Sequence, residues 1–152
     1  MQTRLIHQAA GQKTYAVILS SGDEVMACLE ALAASERLSA ASFKAIGAFE
    51  HAELAYFDWQ ARRYRSIPVD EQSEVAAFTG DIVLGPDGAP AVHVHAVLGL
   101  RDGSARAGHL KSGTVRPTLE IVLTESPVHL RKRWDAESGI PLIALDAPPP
   151  TP

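Results

Sequence analysis

Residues 89–110 read APAVHVHAVLGLRDGSARAGHL. The first half is an apolar, β-branched run of strand type, Arg101-Asp102-Gly103 carries turn chemistry, and a second strand follows. So short a connection favours antiparallel neighbours. Side chains at i and i+2 share a strand face, so His93 and His95 point one way and Val92, Val94 and Ala96 the other. The place of a third histidine, His109, depends on the turn. A two-residue Asp102-Gly103 loop pairs Arg101 with Ser104 and sends His109 to the wrong face. A three-residue loop with Gly103 left-handed pairs Leu100 with Ser104 and sets His95 opposite His109. Both loops are common, and a bulge at Gly108 would alter either register.

The same turn-and-strand texture extends on both sides. Thr14–Ser20 (TYAVILS) is a short apolar strand, followed by an amphipathic helix over about Gly22–Glu36. Ser21 and Glu24 have capping-box spacing, and Val25, Leu29, Leu32 and Leu38 roughly keep the helical period. From Ser42 onward the segments SFKAIGAF, HAELAYFDW, RRYRSIPV, EVAAFTGDIVL, SARAGHLKSG and TVRPTLEIVLTE are strand-like. Gly85-Pro-Asp-Gly88 and Lys111-Ser-Gly113 are read as breaks, and Pro117 argues for an edge or a bulge. IPLIAL (Ile140–Leu145) is read as a last strand before a Pro-rich tail. The expected fold is α+β: a single domain over residues 1–146, mostly antiparallel β-sheet with one principal amphipathic helix, and a disordered tail over 147–152.

The totals narrow the function. A chain of 152 residues, 46% hydrophobic and 21% charged, suits one soluble globular domain. Its net charge of -4 lacks the field that non-specific nucleic-acid binding uses, so a DNA role would need a local basic patch. LRKRWD (Leu130–Asp135) and ARRYRS (Ala61–Ser66) mix basic and aromatic residues but read first as solvated faces. Cys28 is the one cysteine, a small core residue on the helix, which leaves no disulfide framework or thiolate cluster. MQTRLIHQ has no apolar leader core and no apolar run reaches membrane-spanning length, so a cytoplasmic protein is expected.

Should the three-residue loop hold, three imidazoles converge on one face. They repel when protonated together and are costly to bury without partners. A divalent cation resolves both problems, and three histidines with an open fourth position suit an exchangeable or catalytic zinc site. The competing reading has His93 and His95 hydrogen-bonding within a sheet or subunit interface and binding nothing. Glu120, in TLEIVL, is a charged residue in an apolar strand that either orients a histidine or faces solvent. His7, His51 and His129 have no partner suggested by spacing. There is no phosphate-cradling glycine loop, Gly-x-Ser-x-Gly or Cys-x-x-Cys.

The block Thr79–Glu125, with its order His-x-His, Gly-His-Leu, Gly-Thr-Val, resembles the core of the plants-and-prokaryotes conserved (PPC) domain family. Gly47–Asp58 and Leu130–Leu145 support the likeness, which covers nearly the whole chain before the tail. The resemblance implies an α+β domain assembled as a homotrimer. In plant members the domain follows DNA-gripping AT-hooks, whereas this acidic chain has no Arg-Gly-Arg-Pro. In the prokaryotic branch the His-x-His and Gly-His positions are associated with metal binding, which carries over to His93, His95 and His109. Ala107-Gly108-His109 stands where many relatives have Gly-Gly-His.

Two classes of function follow. One is a trimeric protein binding a divalent metal, zinc first, through His93, His95 and His109, with any reaction undefined. The other is a DNA-associated regulator using Arg131, Lys132 and Arg133 with Arg62, Arg63 and Arg65, or a protein-interaction module without catalysis.

Overall fold

The computed structural model describes residues 1–145. The expected tail, 147–152, lies outside the described residues. Among the described residues, nine strands and one helix run in the order β1 (Gln2–Ala9), β2 (Gln12–Ser20), α1 (Val25–Glu36), β3 (Ala40–Asp58), β4 (Arg63–Val69), β5 (Ser73–Leu84), β6 (Pro90–Gly99), β7 (Ala105–Glu125), β8 (Lys132–Asp135) and β9 (Ile140–Ile143). Seven strands form one antiparallel sheet, β1-β2-β7-β6-β5-β3-β4, and β7 also pairs with β3. The ladder β3-β5-β6-β7 therefore closes on itself, with β1–β2 and β4 as extensions. The expected architecture, mostly antiparallel sheet with one helix, is the observed one.

Alternation explains the core. Val94, Ala96 and Leu98 of β6, Leu119, Ile121 and Leu123 of β7, and Tyr15, Val17 and Leu19 of β2 all turn inward and are buried. Helix α1 seals this face with Val25, Leu29, Leu32 and Ala33. Phe78 gathers Phe43 and Phe49 around it, with ring centroids 5.9 Å and 6.5 Å away. Leu38 is buried too, but it sits beyond the helix, whose end is set by Arg37 in the left-handed conformation (φ 55°). Cys28 is half-buried against the core, and burial pushes its thiol pKa up, as an inert thiol requires.

Several expected boundaries move. The helix begins at Val25, and the Ser21–Glu24 box is replaced by Glu24 itself as cap. Its Oε2 accepts from the Ala27 amide at 2.7 Å and its Oε1 from the Gly113 amide at 3.0 Å, so one carboxylate ties the helix start to β7. Lys111-Ser-Gly113 is not a break: β7 runs through it, and Gly113 makes room for the Phe49 ring, which a Cβ would meet at 3.1 Å. SFKAIGAF and HAELAYFDW likewise form one strand, bent at Gly47 (φ 152°), where a Cβ would lie 2.2 Å from the Thr118 carbonyl. Pro117 lies in central β7, not on an edge. It falls where the β3 register shifts, between the Gly47–Leu119 and Phe49–Val115 pairs, so the bulge alternative is the one observed.

Strands β1 and β8 escape the sequence pattern, whereas the expected last strand is present as β9. Every residue of β1 is exposed, so no alternation marks it. LRKRWD, read as a basic run, supplies β8, and only its pairing with Ile140–Ile143 makes it a strand. No helix among the described residues is long and apolar enough to cross a membrane.

Replacing Glu24 by Ala removes both the helix cap and the tie to β7. It should cost about 1–2 kcal/mol, read as a lower urea midpoint at unchanged slope. An unchanged midpoint would show that the carboxylate contributes nothing to holding α1.

Candidate metal centre

The β6–β7 turn decides the site. The Leu100 amide donates to the Ser104 carbonyl at 2.8 Å, the Gly103 amide donates to the Leu100 carbonyl at 3.0 Å, and Gly103 has φ 83°. Asp102 Oδ1 accepts from both the amide and the hydroxyl of Ser104, which rigidifies the turn. This is the three-residue loop. It pairs Gly99 with Ala105 and, four positions on, His95 with His109. Register runs unbroken from β6 through Ala107 and Gly108, so no bulge intervenes on that side. Gly108 is needed because a Cβ there would lie 2.7 Å from the Ala55 carbonyl of β3.

His93, His95 and His109 converge, with ring centroids 5.0–5.7 Å apart. Each offers a ring nitrogen, and the three nitrogens lie within 4.8 Å of one another. Zinc–nitrogen bonds of about 2.05 Å at tetrahedral angles need nitrogens about 3.3 Å apart, so binding an ion would draw the rings closer. His109 Nδ1 is buried and has no hydrogen-bond partner among the described residues. A buried, unpartnered imidazole nitrogen costs free energy unless something binds it, so the donor set fits a cation.

Neighbouring strands hold the rings. Asp81 of β5 is paired directly opposite His93, and its Oδ2 lies 3.6 Å from His93 Nδ1. Its other oxygen lies 3.5 Å from Lys132 Nζ, delivered by β8. Burial alone would raise the Asp81 carboxyl, but His93 and Lys132 outweigh it and hold it below the usual range. Tyr64 of β4 packs on His109 with centroids 4.7 Å apart, and Lys111 Nζ lies over the Tyr64 ring, 4.7 Å from its centroid. Burial lowers His95, with His93 adding to it, and pushes His109 down to about 4. Both shifts favour the neutral imidazole in His95 and His109, the form that ligates metal.

Asp81 was not singled out from the sequence, although TGDIVL carries the signal of a charged residue inside an apolar strand. Glu120, considered for the orienting role, is exposed on the outer sheet face between Ile18 and Ile46. The expected basic faces disperse: Lys132 turns into the site, Arg131 donates to the Pro86 carbonyl at 2.9 Å, and Arg65 pairs with Asp58. His51 bonds Thr114 Oγ1 at 3.1 Å, and His129 bonds Ser39, so neither joins the cluster.

Residues 6–127 match the Plants and Prokaryotes Conserved (PCC) domain. The chain belongs to that family. Its fold is similar to the crystal structure of a plant- and prokaryote-conserved protein from Pyrococcus horikoshii (26% identity, 94% of each chain covered, TM-score 0.80). It is also similar to a metal-containing protein from Archaeoglobus fulgidus (27% identity, 87% of this chain and 93% of that one, TM-score 0.79). A Ralstonia eutropha protein provisionally named as DNA-binding shares 30% identity over 86% of this chain and 90% of its own, with TM-score 0.79. No curated protein matches the chain.

The depressed pKa of His109 links this PCC-domain site to stability. In the metal-free protein the unfolded chain takes up a proton on this histidine near pH 6.5, whereas the folded chain resists until about 4. Its contribution is intact above pH 6.5 and is lost as pH falls toward 4. The urea midpoint of chelator-treated protein should drop between pH 7 and 5, and His109→Gln should flatten that slope. An identical slope in the variant would contradict the assignment.

Proposed function

We propose that this PCC-domain protein is a homotrimer that holds a divalent metal ion, zinc above others, on His93, His95 and His109. The observation that carries the reading is the convergence of three ring nitrogens within 4.8 Å on one sheet face. An all-imidazole donor set favours zinc among the common divalent cations, and three protein ligands leave a position open for a further ligand. The metal-containing relative from Archaeoglobus fulgidus supports the same reading. When bound, such an ion polarises a carbonyl or acidifies a water molecule.

The chain's own residues divide the remaining work. Asp81 orients the His93 ring, and Tyr64 fixes the plane of His109. Lys132 places a positive charge at the rim, balanced by Asp81. A DNA-reading surface gains less support, because the basic residues it would use are dispersed over the fold or engaged with neighbours.

Trimer assembly draws on the outer sheet face. Ile46 is 66% exposed there, and Ile18 and Val122 are exposed on the same face around Glu120. Exposed apolar side chains grouped on one face support an interface reading.

Untagged protein should carry near-stoichiometric zinc by plasma mass spectrometry. His93→Ala and His109→Ala should each lose it, and Asp81→Asn should weaken zinc binding by about 10–100-fold. Full zinc retention in both histidine variants would end the metal reading. Light scattering after size exclusion should give three times the chain mass, and Ile46→Asp should shift it to one; a wild-type monomer would end the trimer reading.

A further inference from the structure

Beside the three imidazoles the fold leaves a cavity of about 510 Å³, a size typical of small-molecule sites. His93 and His109 form one end of it, together with Asp81 and Lys132. Much of the rest is hydrocarbon: Ala91 of β6, on the same strand face as His93, and Ile140 and Leu142 of β9. The β8–β9 hairpin is a sheet of its own, joined to the main body through the Leu84–Arg131 bridge and the Leu84 amide to Leu130 carbonyl bond. Its placement over the histidines therefore builds the cavity and delivers Lys132, whose side chain is only 12% exposed.

Charge counting then specifies the ligand. Lys132 and Asp81 cancel, and neutral imidazoles add nothing, so a divalent ion on the cluster leaves two positive charges facing a largely apolar chamber. Such a centre favours an anionic oxygen ligand. A phosphate group is answered elsewhere by arginine forks or several amide donors, whereas one lysine beside one cation matches a carboxylate. The apolar walls call for a hydrocarbon body attached to it.

We propose that the cavity binds a small monocarboxylate with an apolar body, its carboxylate seated between the three-histidine centre and Lys132 and its hydrocarbon against Ala91, Ile140 and Leu142. This rests on the metal reading above.

Cobalt(II) replaces zinc in the test, because its visible bands report directly on coordination. Loading should produce those bands in the wild type and in Lys132→Met, and not in His93→Ala. Hexanoate should then shift the bands saturably, with acetate binding about tenfold or more weakly. Lys132→Met should weaken both acids. Leu142→Asp, at a position 46% exposed and so tolerant of a charge, should weaken hexanoate and leave acetate unchanged. Cobalt bands with hexanoate no tighter than acetate, or with both variants binding like wild type, overturn the cavity proposal alone. Absence of cobalt bands in the wild type overturns the metal reading and this proposal with it.

Discussion

Pairing of His95 with His109 across the β6–β7 ladder is the contact on which the site depends, and the five-residue turn from Leu100 to Ser104 enforces it. The Leu100 amide reaching the Ser104 carbonyl closes a three-residue loop, and Gly103 takes the positive φ that such a loop requires. Because strand side chains alternate, a slip of one residue would carry His109 into the core and draw Leu110, now fully buried, out to the surface. Core packing and site geometry therefore enforce the same register. The apolar face of β6, with Val94 and Leu98 sealed under α1, holds the polar face in place.

Closure of β3, β5, β6 and β7 into a ring turns that hairpin into a site. Strand β5 brings Asp81 opposite His93, β4 lays Tyr64 on His109, and β8 supplies Lys132. Each comes from a different part of the chain, so the polar cluster is assembled by long-range pairing. Glycines allow the close approaches: Gly108 lets the β3 backbone pass beneath His109, and Gly113 admits the Phe49 ring behind it. The outcome is a cluster of three imidazoles, with His95 and His109 biased toward the neutral form chiefly by burial, next to one balanced ion pair and an apolar chamber.

Local pattern exposed much of this and misled in specific places. The buried strands declared themselves through alternation, and α1 through its apolar stripe. Gly113 suggested a chain break because glycine is common in turns, yet in this fold it serves close packing inside a long strand. Strand β1 gave no signal, since a strand with no buried side chains has no pattern to show. LRKRWD looked like a solvated basic run because one strand of a two-stranded hairpin has no inward face until its partner is placed.

By itself the sequence determined the α+β class, the inward residues of the main strands and the sharing of one face by His93 and His95, because these follow from periodicity along a single segment. It left two registers open for His109. Tertiary structure alone chose between them and decided that Asp81, not Glu120, stands beside the histidines. The same holds for the turn of Lys132 inward, away from Arg131. Those outcomes depend on which strands lie side by side, and strand pairing is fixed by burial summed over the whole sheet.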